Sequence, residues 1–371
     1  MKIFPNKFQT EIKILLFFVI WKIFISLAAY VAPKILPVFA NRFPYVETLK
    51  MYGLPHWIWA FANFDGVHYL RIAKDGYTYQ YTQVFFPLYP ILIKLVSFIT
   101  SGNYLIAALI ISNISFLVAL MIFYKLVVKI YNPKVALWAI IFLLTFPTSF
   151  YFGAVYTEGL FFLMIISSFY LANQNKNWQS ALVGLFASAT RLVGLFLGIL
   201  LLPNKKSKFR PIFLLIPFGL IGYMIYLQYK FNNALYFLTA QSAFGQSRET
   251  AKIVLLPQVF YRWINQLLTT HGLVFVNSAF ELSTAILTLI LLSIGIKTTK
   301  KEWVIFSLIA IIVPTLTGSL GSMPRYVLIA FPIYIIMAQI KNNAIKSAIA
   351  LVFTILLFIT TVYFSQGYWV A

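Results

Sequence analysis

Ten positions separate two carboxylates, Asp65 and Asp75, in the longest polar interruption of an apolar chain that holds only 8 acidic residues in 371. His68 stands between them. A carboxylate in a recessed, half-desolvated site can serve as a general base that takes the proton of a sugar hydroxyl. At helical spacing Asp65 and His68 share a face, and Gly76 is a suitable C-terminal stop. Residues 65–75 therefore read as a short amphipathic helix, with Leu70, Ile72 and Ala73 turned towards the membrane. Asp is also a preferred helix N-cap, so Asp65 has a structural reading beside the catalytic one.

Other charged residues invite the same double reading. Glu158 stands where the segment Pro147 to Thr157 enters an apolar run. It can be a first-turn acid favoured by the helix dipole, or it can accept a substrate hydroxyl or orient an arginine. Arg191 and Arg325 fall at the ends of apolar runs; each could snorkel to the interface or bind a phosphate in a two-pronged fashion. The stretch from Gln241 to Arg248 adds polar groups in an outer loop, and Tyr326 follows Arg325 directly. Lys22, Lys94 and Glu281 lie within or beside apolar runs and receive no role at this level.

Several chemistries are absent from the sequence. With no cysteine there is no thiolate catalysis, thiolate metal site or disulfide. The three histidines, His56, His68 and His271, lack the short spacing of paired metal ligands. No phosphate-binding glycine loop, serine-nucleophile elbow or paired acid motif of nucleotide-sugar enzymes occurs, so neither a cofactor nor a nucleotide is implied.

The elements that must position these residues are membrane helices. The chain is 61% hydrophobic and 10% charged, which excludes an ordinary soluble domain. Its net charge of +21 fits cytoplasmic loops rich in Lys and Arg better than nucleic-acid binding. Apolar runs near 12–32, 103–125, 135–152, 209–231, 273–296, 303–320 and 346–364 have spanning length, and 158–173 and 325–340 are slightly shorter. The run 179–202 is interrupted by Thr190-Arg191 and reads as a re-entrant pair meeting at Arg191, because an arginine against lipid is costly. This gives about eleven passes in a single all-α domain over 1–371. A long first outer loop spans about 33–102, with interfacial helices and the segment 63–77, and a second spans about 232–272. The first run, containing Trp21 and Lys22, reads as a retained helix and not as a cleaved signal.

Basic residues set the orientation. With the N-terminus cytoplasmic, Lys2, Lys7, Lys13 and the connections near 125–134, 173–178, 203–210, 297–302 and 341–346 place 16 of the 29 basic residues inside, against two acids, Glu11 and Glu302. Asp65, His68, Asp75, Glu158, Arg191, the 232–272 loop and Arg325 then fall together on the extracytoplasmic face.

Read together, these stretches resemble the PIG-V-like mannosyltransferases. The resemblance is carried by Phe64-Asp65-Gly66-Val67-His68-Tyr69-Leu70-Arg71-Ile72-Ala73, Gly76-Tyr77, Phe85-Phe86-Pro87-Leu88-Tyr89-Pro90, Tyr156-Thr157-Glu158, Ala189-Thr190-Arg191, the Gln241 region and Met323-Pro324-Arg325-Tyr326. It implies a GT-C fold that transfers a sugar from a polyprenyl- or dolichyl-phosphate donor with inversion; the chain departs from eukaryotic members in being compact, which favours a prokaryotic-type member in a cell membrane. Asp65 matches the family's first-loop aspartate and would be the base. His68 and Asp75 match flanking polar positions, and Arg191 and Arg325 match basic positions assigned to the donor phosphate. The acceptor would be a glycolipid, glycan or protein. The competing expectation is a transporter or flippase for a lipid-linked or anionic sugar; polar groups gathered on one face, without an evident inverted repeat, favour the enzyme.

Overall fold

The computed structural model describes residues 6–40, 45–202, 210–245, 248–249 and 252–370. Lys2, Lys205, Lys206, Lys208, Gln246 and Ser247, invoked above for topology or the second outer loop, lie outside them. The described residues form helices and turns and no strand. Five helices are long and apolar enough to cross a membrane: Gln9–Ile35, Tyr104–Val128, Pro211–Phe231, Gly272–Thr298 and Asn343–Ser365. At 1.5 Å per residue, a helix of about 20 residues covers the roughly 30 Å of a hydrocarbon core. Four shorter apolar helices accompany them: Leu88–Thr100, Pro133–Thr145, Glu158–Ala172 and Leu192–Leu201.

Two apolar runs that read as passes are broken. The run 135–152 stops as a helix at Thr145, because Pro147 disfavours helical backbone at the residue before it, and Phe146 adopts φ −54°, ψ 137°. The chain then makes a buried 3-10 turn, Ser149–Gly153. The run 325–340 divides into Met323–Tyr326, Val327–Ile329 and Pro332–Ala338, with Pro332 opening the last piece. Every residue from Val327 to Ala338 is buried. Such a segment is apolar because protein surrounds it on all sides, and not because it faces lipid.

The interruption at Thr190-Arg191 is present. Helix Asn177–Ser188 ends there, Arg191 is extended, and the 3-10 helix Leu192–Leu201 follows. This second leg folds tightly onto the first: a Cβ on Gly194 would lie 2.3 Å from the carbonyl carbon of Ala187.

The first loop is built from short helices, ending in Leu88–Ser97 and a 3-10 turn whose Ile91, Leu95, Phe98 and Ile99 are exposed. In the second loop, helix Leu256–Thr269 buries Val259 and Trp263 and exposes Tyr261, Ile264 and Leu268. That apolar stripe suits a helix lying in a membrane interface. Aromatic rings fill the core; Phe116 stacks on Phe152 at 4.1 Å, and Trp21 donates to the Ser149 hydroxyl at 3.0 Å.

Candidate active site

Asp65 opens the helix Asp65–Asp75, as the spacing implies, and Gly76 follows at φ +71°. It is not the cap. Phe64 occupies that position with φ +59°, an uncommon conformation for a bulky residue, and no side chain caps the helix. Neighbouring segments impose this entry. The Asn63 amide donates to the carbonyl of Phe364 at 2.8 Å, and the Tyr156 hydroxyl donates to the carbonyl of Asn63 at 2.8 Å. The Phe64 ring packs against Phe364 and Trp369, at 5.7 and 5.2 Å between centroids. Behind Asp65, a Cβ on Gly66 would meet Ala62 and Val155 at 3.2–3.4 Å, so only a small residue lets the first turn approach so closely.

With its backbone held in this way, the Asp65 side chain joins a chain of alternating charges. Arg325 Nη1 donates to Asp65 Oδ2 at 2.5 Å, and Arg325 Nε donates to Glu158 Oε1 at 2.5 Å. Arg191 Nη1 donates to the same Glu158 oxygen at 2.9 Å. The four residues come from four separate segments. Burial is deepest in the middle, where the Glu158 side chain is 0% and the Arg325 side chain 8% exposed; it is least at the ends, with Arg191 at 14% and Asp65 at 21%. Buried charges are tolerable only when paired, and two acids alternating with two guanidiniums leave no net charge. The second Glu158 oxygen has no partner and is buried. Asp65 Oδ1 accepts no hydrogen bond from the described residues and stays available.

Each arginine is also framed by rings. Arg325 lies over Tyr156 and Tyr151 at 4.6 and 5.3 Å, and Arg191 lies over Phe161 and Tyr326 at 5.5 and 6.0 Å. Burial holds the Tyr69 and Tyr156 phenols above their ordinary range, so they remain neutral beside the ion pairs. The Arg325 backbone is anchored where the Thr148 hydroxyl donates to the carbonyl of Pro324 at 2.7 Å.

His68 is enclosed by Phe85, Tyr45 and Phe244, with centroids 5.1, 5.3 and 5.5 Å away. Phe244 belongs to the turn that carries Gln241, so the first and second loops meet over His68. Burial lowers the His68 pKa, against an upward pull from Asp65 and with a smaller downward push from Arg71. Arg248 Nη2 donates to the Tyr326 hydroxyl at 3.1 Å, which brings both residues to the Arg191 side of the site.

Two of the sequence-derived candidates stand apart. Asp75 is exposed at the far end of its helix, ~15 Å along the axis from Asp65 at 1.5 Å per residue. A helix cannot bring residues ten apart to one point. Gln241 is half-buried and forms no hydrogen bond with the four charged residues. Sequence reasoning gave no site role to Asn63, Thr148, Tyr151 or Tyr156. Asn63 and the two tyrosines sit beside or between the residues that were singled out, but nothing local says that Asn63 reaches a helix 301 positions away. Among the described residues no three His, Cys, Asp or Glu side chains cluster as metal ligands would. Chemically, the site offers a carboxylate with one oxygen anchored and one open, beside two guanidiniums suited to an anion.

Comparisons with known proteins bear on this site. Residues 53–202, which include Asp65, His68, Glu158 and Arg191, match the family model described as Mannosyltransferase (PIG-V). Over 153 residues the chain is 31% identical to "GPI mannosyltransferase 2" of Cryptococcus neoformans var. neoformans serotype D, covering 38% of this chain and 36% of that protein. It is 30% identical over 133 residues to the protein of that name from Drosophila pseudoobscura pseudoobscura, covering 32% and 28%. With "GPI alpha-1,6-mannosyltransferase 2" of Homo sapiens it shares 28% identity over 153 residues, covering 38% and 30%. The alignment thus spans about a third of the length of the curated relatives.

Proposed function

We propose that this PIG-V-like chain is an integral-membrane mannosyltransferase that moves a sugar from a polyprenyl- or dolichyl-phosphate donor to an acceptor hydroxyl. The observation that carries the reading is the Asp65–Arg325–Glu158–Arg191 chain of charges, whose exposed acid is the one in the segment most like the family. In the proposed step Asp65 takes the proton of the acceptor hydroxyl. The acceptor oxygen bonds to the anomeric carbon as the bond from that carbon to the phosphate oxygen breaks, and the lipid phosphate leaves with the electron pair. A single displacement of this kind inverts the anomeric centre.

The side chains divide that work. Arg325 anchors Asp65 Oδ2, leaving Oδ1 for the hydroxyl. Arg191, with Arg248 and Tyr326 beside it, offers charge and hydrogen-bond donors to the departing phosphate. Glu158 orients both Arg325 and Arg191. His68, neutral in its ring cage, lines the approach from the loops, and Gln241 belongs to the same loop. No part is assigned to Asp75 beyond ending its helix. Convergence of these residues supports the placement of the site on one face of the membrane, outside if the basic connections lie in the cytoplasm.

A transporter reading finds no support in relatives that are all named mannosyltransferases. The deciding experiment supplies the purified chain with polyprenyl-phospho-mannose and candidate glycolipid, glycan and peptide acceptors, and compares Asp65→Asn. Transfer should fall at least ~100-fold in the variant, the usual contribution of a general base. Wild-type turnover by Asp65→Asn would remove Asp65 from that role, and transfer from a nucleotide sugar alone would overturn the donor class.

A further inference from the structure

We propose that Glu281 is a positioning residue for Arg325, a role that rests on the reading of Arg325 as part of the transfer site. Glu281 lies inside the long apolar helix Gly272–Thr298 and is 7% exposed. A carboxylate at such a place is costly unless its oxygens are bonded. Both are. Oε1 accepts the backbone N–H of Ser322 at 3.3 Å, and Oε2 accepts the indole N–H of Trp263 at 2.9 Å.

Ser322 is the hinge of the segment that carries Arg325. Its φ of +70° is rarely adopted by a residue with a side chain. Its carbonyl accepts the N–H groups of both Arg325 and Tyr326 at 3.0 Å. Whatever holds Ser322 therefore sets where the guanidinium emerges.

Trp263 extends the hold to the second outer loop, since it is buried in the interfacial helix Leu256–Thr269. The same loop grips the segment before Ser322 through the N–H of Glu249 on the Thr317 carbonyl at 2.8 Å and the N–H of Val254 on the Leu316 carbonyl at 2.9 Å. Glu281 thus joins a spanning helix, an interfacial helix and the Arg325 turn. Arg325 must meet Asp65 and Glu158 together, and a displacement of about 1 Å in such a site can cost on the order of 100-fold in rate.

The test uses the full chain in lipid nanodiscs, with Glu281→Gln, Glu281→Ala and the volume-conserving Trp263→Phe. We expect kcat for mannosyl transfer to fall about 10-fold in Glu281→Gln while the donor KM changes less than about twofold. In an Arg325→Lys background the same change should add little, because residues acting through one another are not additive. Hydrogen exchange supplies a readout that needs no activity. Amides of 318–326 should exchange roughly 10-fold faster in Glu281→Gln and Glu281→Ala, and those of 65–75 should not change.

Wild-type exchange over 318–326 in Glu281→Ala would overturn the proposal. So would fully additive losses with Arg325→Lys, which would mark Glu281 as merely structural. Should Glu281→Ala fail to fold, Trp263→Phe and Glu281→Gln carry the same comparison. A wild-type chain with no transfer from any donor would sink the reaction assignment alone; the exchange data would still decide whether Glu281 holds the Arg325 turn.

Discussion

Arg325 binds Asp65 across 260 positions of sequence, Nη1 to Oδ2 at 2.5 Å, while its Nε holds Glu158 at the same distance. One guanidinium therefore spans an open acid and a fully buried one. A lysine has a single nitrogen and cannot make both bonds in this geometry.

Replacement of Arg325 separates charge from shape. Arg325→Lys should keep the protein folded and lower transfer by at least about 10-fold, since a tenfold loss needs only about 1.4 kcal/mol of transition-state stabilisation. Arg325→Ala should cost about 3–5 kcal/mol of stability, because it strips a buried acid of one partner. Thermal unfolding in detergent, run beside the transfer assay, checks both. Wild-type transfer and stability in Arg325→Lys would count against the need for both guanidinium bonds.

Glu158 and Asp65 should differ in kind. Glu158→Gln weakens both arginine bonds at a fully buried oxygen and should lower stability by about 1–3 kcal/mol. Asp65→Asn leaves Arg325 paired with Glu158, so its unfolding midpoint should move much less than that of Glu158→Gln, while its transfer rate falls more. A reversed ranking of midpoints would refute the assignment of structural weight to Glu158.

His68 should make stability depend on pH. Burial lowers its folded pKa below the ordinary 6.5, so the unfolded chain takes up the proton first as pH falls. Its contribution is complete above about 6.5 and is lost between that value and the lower folded pKa. His68→Phe, which suits the surrounding rings, should flatten the decline of the unfolding midpoint between pH 7.5 and 5. Part of the slope should persist, because burial also lowers the pKa of His56. An unaltered slope in His68→Phe would show that the ring cage does not desolvate the imidazole.

Two glycines provide a matched pair. A Cβ at Gly159, directly after Glu158, would lie 2.6 Å from the Ser112 carbonyl oxygen and 2.8 Å from that of Phe152. Gly159→Ala should therefore cost about 1–3 kcal/mol and disturb Glu158. At Gly222 a Cβ meets nothing within 4 Å, and in the helix Phe218–Phe231 alanine should stabilise by about 0.5–1 kcal/mol. Similar midpoints for the two variants would contradict the close approach at Gly159.

Some of the site was readable in the chain because its signals are local. Asp65, His68 and Gly76 sit at helical spacings, and an arginine within an apolar run forecasts the break at Arg191. The position of Asp75, exposed at the far end of its helix, was not legible in the same way, because rarity of acids says where a charge is kept and not what it faces. The runs 135–152 and 325–340 are each divided in the structure, which their hydropathy does not announce. Hydropathy cannot separate a segment facing lipid from one enclosed by protein, and in both cases proline interrupts the helix.

The sequence by itself determined a helical membrane protein, the helix that presents Asp65, and the small set of charges able to do chemistry. Periodicity, proline, glycine and hydropathy act over a few residues and are written where they act. Only the tertiary structure decided that Asp65 and Glu158 share Arg325, that Asp65 is the open end, and that Glu281 grips the turn behind it. Those bonds join segments 260, 167 and 41 positions apart, and hydrogen-bond geometry over such separations exists only once the helices have packed.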